Sequence, residues 1–211
     1  MTIAAPPTPL LADRVHRIGT EAAFALGALI AEVEAKGERV IRCNLGQPDF
    51  PVPKHITDAV KRALDAGLTT YCDPQGIPEL RAAVARSLSE KHGLDIGPER
   101  VVVYPGGRPA IGFAHMTYSE AGEEVIYPSP GYPLFESFVA YFRCSPVPVV
   151  LREEDGFGLS RAALEPLLSE KTGLIFLNFP SNPTGGVATR TQLAELSEVI
   201  LEKTGPDVRV F

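Results

Sequence analysis

Three short segments carry residue types that a packed interior has little use for. Leu174–Leu177 is an apolar run leading directly into Asn178-Phe179-Pro180-Ser181-Asn182-Pro183-Thr184-Gly185-Gly186. The side-chain amides of Asn178 and Asn182 can hydrogen-bond a phenolate-like oxygen without adding charge. The X-Pro bonds Phe179-Pro180 and Asn182-Pro183 restrict the backbone and admit a cis isomer at one of them. In Tyr104-Pro105-Gly106-Gly107-Arg108-Pro109 an apolar run turns into a helix start. Backbone N–H groups unobstructed by side chains are a natural anion seat there, to which Arg108 can add charge. Pro128-Ser129-Pro130-Gly131-Tyr132-Pro133 surrounds one aromatic with prolines and a glycine, and can hold Tyr132 as a stiff platform for a planar ligand. Each segment taken alone also reads as a rigid turn, the last with a core tyrosine. The Gly-Gly-Arg-Pro turn matches neither G-x-G-x-x-G nor G-x-x-x-x-G-K-[ST], so a Rossmann or Walker nucleotide site is not indicated.

These segments need a sheet to position them. From residue 100 onward, short apolar runs (Val101–Tyr104, Glu124–Tyr127, Val147–Leu151, Leu174–Leu177, and one beginning at Val208–Phe211) alternate with helical patterns. The helices are predicted over Pro109–Ser119 and Tyr132–Phe142. A third starts at the natural N-cap Ser160 and carries Leu164, Leu167 and Leu168, and a fourth runs from Thr189 or Thr191 to Lys203. This rhythm predicts an α/β fold, with a mainly parallel sheet covered on both faces in three αβα layers. Ligands of such sheets bind at the carboxyl ends of the strands. A phosphate seat, an aromatic plate and an amide donor at one edge describe the pocket of a planar, phosphorylated, oxygen-bearing cofactor. Pyridoxal phosphate fits all three.

Upstream, residues 1–12 read as an Ala/Pro/Thr-rich arm. A helix over about 20–36, ended by Gly37, contains the apolar stretch Ala22–Ala31. That stretch is too short to span a bilayer, and Glu21 abuts it without a clear cleavage site following, so an amphipathic-to-buried helix is expected rather than a signal peptide. Val40–Leu45 reads as extended. Ile56, Ala59, Val60, Ala63 and Leu64 fit helical spacing, and a further helix starts at Pro78 and ends at Gly93.

The net charge of −6 over 211 residues, with no basic cluster, argues against nucleic acid or an anionic membrane as partner. Three scattered cysteines (Cys43, Cys72, Cys144) suggest reduced thiols in a cytoplasmic protein. Four histidines without ligand spacing leave no metal site.

The stretches NLGQPDFPVP, TTYCDPQGIPELRAAVA, VVVYPGGRPAI, EEVIYPSPGYPLFE and LIFLNFPSNPTGG occur in one order from about residue 20 to 211. Together they resemble the N-terminal half of a class I/II aminotransferase of the fold-type I pyridoxal phosphate family. The resemblance implies an aspartate aminotransferase-like large domain over residues 46–211, incomplete here, and an arm and helix over 1–45 belonging to a smaller domain. It implies backbone contacts from Gly107 and Arg108 to the cofactor phosphate, Tyr132 stacked on the pyridine ring, and Asn182 on the ring's 3-oxygen with Asn178 shaping the same loop. Gly46 would lie beside the substrate carboxylate. Tyr71 would reach the phosphate of a neighbouring subunit's cofactor, which implies a homodimer. Pro109 stands where relatives often carry Gln. The implied reaction exchanges an amino group between an amino acid and a 2-oxo acid.

The same resemblance implies groups that these residues do not contain: the Schiff-base lysine, an aspartate on the pyridine nitrogen and a late arginine on the substrate carboxylate. The six lysines (Lys36, Lys54, Lys61, Lys91, Lys171, Lys203) all lie outside the required context. A truncated enzyme, inactive alone, is therefore the expectation. The alternatives are a non-catalytic module that dimerises or binds a phosphorylated ligand, or a parent that is a lyase or decarboxylase on the same loops. A further expectation is an unpaired strand edge at Val101–Tyr104, which invites association.

Overall fold

The computed structural model describes residues 11–19 and 22–211. The arm expected over residues 1–12 lies, apart from Leu11 and Ala12, outside the described residues, as does the predicted helix start at 20–21. The chain divides into two compact units, one of Leu26–Gly107 and one that joins Arg108–Phe211 to the chain up to Ala25.

The Arg108–Phe211 part begins with helix α4 (Arg108–Tyr118), after α1 (Ala22–Ala35), α2 (Lys54–Asp65) and α3 (Pro78–His92). It continues through β1 (Glu124–Ser129), α5 (Pro133–Phe142), β2 (Ser145–Val150), α6 (Arg161–Leu164), β3 (Thr172–Ile175), α7 (Arg190–Lys203) and β4 (Arg209–Val210). All ladders are parallel and the strand order is β2-β1-β3-β4. Side chains alternate across a strand, so β1 sends Val125 and Tyr127 to one face and Ile126 to the other. Val125, Tyr127, Leu174 and Phe176 pack with Ile111, Ala114, Phe135 and Val139 of α4 and α5. Ile126, Val149 and Ile175 pack with Leu164, Leu196, Val199 and Ile200 of α6 and α7. The two cores on opposite faces make the three αβα layers that the alternating pattern predicts.

Local chemistry explains the element ends. Thr189 and Gln192 form a reciprocal capping box at α7, and Ser160 accepts from the Ala163 N–H at α6. The helix expected from Ser160 through Leu168 is only four residues of α-helix followed by a 3₁₀ turn at Glu165–Leu167. Pro166 has no N–H to continue the ladder. The strand expected at Leu174–Leu177 starts earlier, at Thr172, opposite Glu124. Its pairing still reaches Leu177, whose N–H donates to the Phe211 carbonyl at 2.9 Å.

The run Val101–Tyr104, expected as a strand, belongs to the other unit and forms no ladder among the described residues. Its Val103 N–H donates instead to the Gln75 carbonyl at 2.8 Å. Gly76 makes that approach possible, because a Cβ there would meet the Val103 side chain at 2.8 Å and φ is +110°. Val40–Leu45 likewise forms no ladder. In α1, Leu26 and Leu29 are exposed rather than buried, because no described element of their unit covers them.

Candidate active site at the carboxyl edge of the sheet

Strands β1 and β3 are parallel neighbours, so the chain leaves both at the same edge of the sheet. After β1 come Pro130, Gly131 and Tyr132, and then α5. After β3 comes the Asn178–Gly186 loop, and then α7. Tyr132 is the N-cap of α5, with extended backbone (φ −67°, ψ 122°) and Pro133 at the first helical position. Gly131 is required because a Cβ would strike the Pro128 carbonyl oxygen at 2.0 Å. The half-buried Tyr132 ring meets Phe135 edge to face, with centroids 5.9 Å apart at 86°. Its hydroxyl accepts a hydrogen bond from Arg108 Nε at 2.9 Å. The structure thus brings the first residue of α4 to the edge that carries Tyr132.

The Asn178–Gly186 loop is closed on itself. The Ser181 N–H donates to the Gly186 carbonyl at 2.8 Å, and the Gly185 N–H returns to the Ser181 carbonyl at 2.7 Å. Phe179-Pro180 and Asn182-Pro183 are both cis, where one cis bond was expected. Asn178 is half-buried and Asn182 exposed. Gly186 sits where a Cβ would lie 2.3 Å from the Phe157 carbonyl oxygen. Phe157 itself holds a left-handed φ of 54°, uncommon for a residue with a side chain.

Two participants escape sequence reading. Ser181 is buried and its Oγ has no hydrogen-bond partner among the described residues. It lies between the two asparagines, but a serine in a Pro/Gly loop carries no signal of burial. Phe157 supports the loop from the connection between β2 and α6, and nothing in its own sequence context shows that.

Of the remaining predicted positions, Gly107 directly precedes Arg108 in the chain, and a Cβ at Gly106 or Gly107 would meet no atom within 4 Å. Gly106 has a φ of +89°, a conformation glycine supplies without penalty. Gly46 and Tyr71 belong to the Leu26–Gly107 unit, and both are exposed.

Tyr127 and His115, on the α4/α5 face of the sheet, have displaced proton equilibria. Burial, helped by the Glu136 carboxylate, raises the Tyr127 phenol, which keeps it neutral. His115 is fully buried among Phe138, Phe142 and Phe176, and desolvation lowers its pKa to about 4. Its Nδ1 lies 3.3 Å from Ser119 Oγ, and its Nε2 has no partner among the described residues. His115 is therefore a neutral core residue.

The lysines of this unit lie away from this edge. Lys171 immediately precedes β3, and Lys203 ends α7, the helix that returns the chain to the start of β4. Both are at the opposite, amino edge of the strands, and Lys203 pairs with Glu165 at 3.4 Å. Among the described residues no helix is long and apolar enough to cross a membrane.

The family profile for aminotransferase class I and II matches residues 38–206. A probable aspartate/prephenate aminotransferase of Aquifex aeolicus is 35% identical over 193 residues, covering 92% of this chain and 49% of that protein. The aspartate aminotransferase of Sulfolobus acidocaldarius is 37% identical over 170 residues, covering 80% of this chain and 42% of its own length. Among solved structures, the Thermus thermophilus aspartate aminotransferase with maleate superposes with a TM-score of 0.89 at 30% identity, over 96% of this chain and 52% of that one. The chain spans about half the length of the curated relatives it matches.

Proposed function

The chain belongs to the aminotransferase class I and II family, and from that premise we propose that it carries one wall of a pyridoxal phosphate site for exchanging an amino group between an amino acid and a 2-oxo acid. The observation that carries this reading is the parallel pairing of β1 with β3, which puts the Tyr132 turn and the Asn178–Gly186 loop on one edge.

The residues fit such a cofactor. The turn at Gly106-Gly107 has no side chain and open space around it. Tyr132 offers a half-buried ring, and the loop offers neutral amides instead of charges. When bound, pyridoxal phosphate supplies the electron sink for amino-group transfer. The N–H groups of Gly107 and Arg108 hold the phosphate, helped by the positive end of α4. Tyr132 covers one face of the ring and excludes water from it. Asn182 donates to the ring oxygen, and Asn178 shapes the loop around it. Gly46 leaves room for the substrate carboxylate, and Tyr71 reaches the phosphate bound by a partner subunit, so the working unit is a homodimer. Residues 46–211 form part of the cofactor domain and 1–45 part of a smaller one.

The lysine that this chemistry needs is none of the six in this sequence. On this reading we expect the 211-residue chain alone to be inactive. Free Cys43, Cys72 and Cys144 fit a reducing, cytoplasmic setting.

The test is a pyridoxal phosphate titration followed by equilibrium dialysis. Saturable binding, weakened at least about tenfold by Tyr132→Ala, is expected. Failure of the native chain to bind at all removes this reading.

A further inference from the structure

Arg108 has two places in the site, and only one of them concerns its backbone. Its N–H opens α4, whereas its side chain turns to the hydroxyl of Tyr132 at 2.9 Å. We propose that the Arg108 guanidinium is a positioning group for Tyr132, a strut that fixes the aromatic plate relative to the helix start rather than a direct ligand of the phosphate. This rests on the pyridoxal phosphate reading above.

The geometry supports a strut. Three contacts among the described residues hold the plate. Its backbone is locked at the α5 N-cap behind Gly131, where no Cβ fits. Its ring edge meets Phe135, which is 4% exposed and stacked on Phe176 with centroids 4.7 Å apart. Its hydroxyl is taken by Arg108. The first two points set where the ring is, and the third acts at its far end. A charged donor on the hydroxyl restricts swing about the side-chain torsions, and a planar guanidinium donating through Nε does so in a defined direction. Because the donor is the first residue of α4, whatever sits at that helix start and whatever stacks on the ring are held at a set spacing. A preorganised plate saves the ordering cost a loose one would incur on binding.

A purely electrostatic Arg108, acting on the phosphate, would behave differently. It would work equally well beside any aromatic at position 132, because charge attraction to an anion needs no phenol. A strut needs the hydroxyl.

The sequence has no tryptophan, so Tyr132→Trp keeps an aromatic plate, deletes the hydroxyl and introduces a sole indole whose emission reports stacking. Arg108→Leu is made in the native and in the Tyr132→Trp background, and pyridoxal phosphate affinity is measured in all four proteins. The strut predicts that Arg108→Leu weakens binding about five- to tenfold beside Tyr132. Beside Tyr132→Trp it should change neither the affinity nor the indole quenching. An equal loss in both backgrounds overturns the strut and makes Arg108 a direct ligand. No loss in the native background overturns it as well. Both of those outcomes leave the cofactor reading standing, whereas absence of binding by the native protein removes that reading and the strut with it. Thermal melts of the four cofactor-free proteins identify any variant that fails to fold, and Tyr132→Phe in place of Tyr132→Trp repeats the test with the smallest change.

Discussion

Phe135 and Val139 on α5 are 4% and 1% exposed, whereas Val60 and Leu64 on α2 are 55% and 58% exposed. Both helices carry a regular apolar stripe. The stripe of α5 lies on a sheet whose strands come from the same stretch of chain, and each strand–helix step supplies the surface that the next one covers. The Leu26–Gly107 unit contains no strand among its described residues, so its helices have no such face to lie on. An amphipathic stripe states that a partner is needed; it does not supply one.

The widest contrast is chemical. Cys43 and Cys72, in the helical unit, are exposed, while Cys144 is buried beneath α5. Burial raises the Cys144 thiol, with the Glu123 and Glu120 carboxylates adding to the rise against the lowering hydrogen bond it shares with Ser119. A disulfide reagent should therefore label Cys43 and Cys72 at once, and Cys144 only as the α/β unit opens. Equal rates at all three, followed by mass spectrometry of the labelled peptides, would erase the contrast.

Next in size is a pair of truncations. Phe176, 1% exposed, contacts the rings of Phe135, His115 and Phe211. Phe176→Ala should cost about 3–5 kcal/mol in denaturant unfolding. Leu64→Ala on the open face of α2 should stay within about 0.5–1 kcal/mol. Comparable losses would mean that α2 is covered in solution.

His115 makes the same core sensitive to acid. Its folded pKa of about 4 lies below the ordinary imidazole value of 6.5, so the unfolded chain takes up the proton first. Stability is full above pH 6.5, falls as the pH drops toward 4, and falls no further on this account once both states are protonated. The native protein should lose on the order of 2–3 kcal/mol more than His115→Phe across that window. Parallel stability curves for the two proteins would contradict the burial of this ring.

The smallest effect is local. Thr189→Ala removes one arm of the α7 capping box, and should cost about 1 kcal/mol without moving the Phe176→Ala difference.

Much of the α/β unit is legible from residue order alone. The Ser160 and Thr189 caps, the first-turn prolines Pro78 and Pro133, and the alternation of β1 between faces are all local instructions acting within a few residues. The segments holding Tyr132, Asn178 and Asn182 could be picked out for the same reason, since glycine, proline and amide side chains mark themselves. The failures share a different cause. Val101–Tyr104 has a strand's composition, but a strand exists only where a second one offers its backbone. Leu26 and Leu29 are apolar, but burial is a property of what lies opposite.

The site divides along the same line. Residue types alone determined that this chain has an open Gly-Gly turn, a rigid aromatic and an amide-rich loop, because each is written in contiguous residues. Only the tertiary structure decided that Arg108 spends its side chain on the Tyr132 hydroxyl, that Phe157 leaves no room for a Cβ at Gly186, and that Ser181 is sealed between two exposed neighbours. Those pairings join residues 24 and 29 positions apart, or turn on the burial of a single side chain. No local propensity encodes a contact whose two halves meet only after the sheet has formed between them.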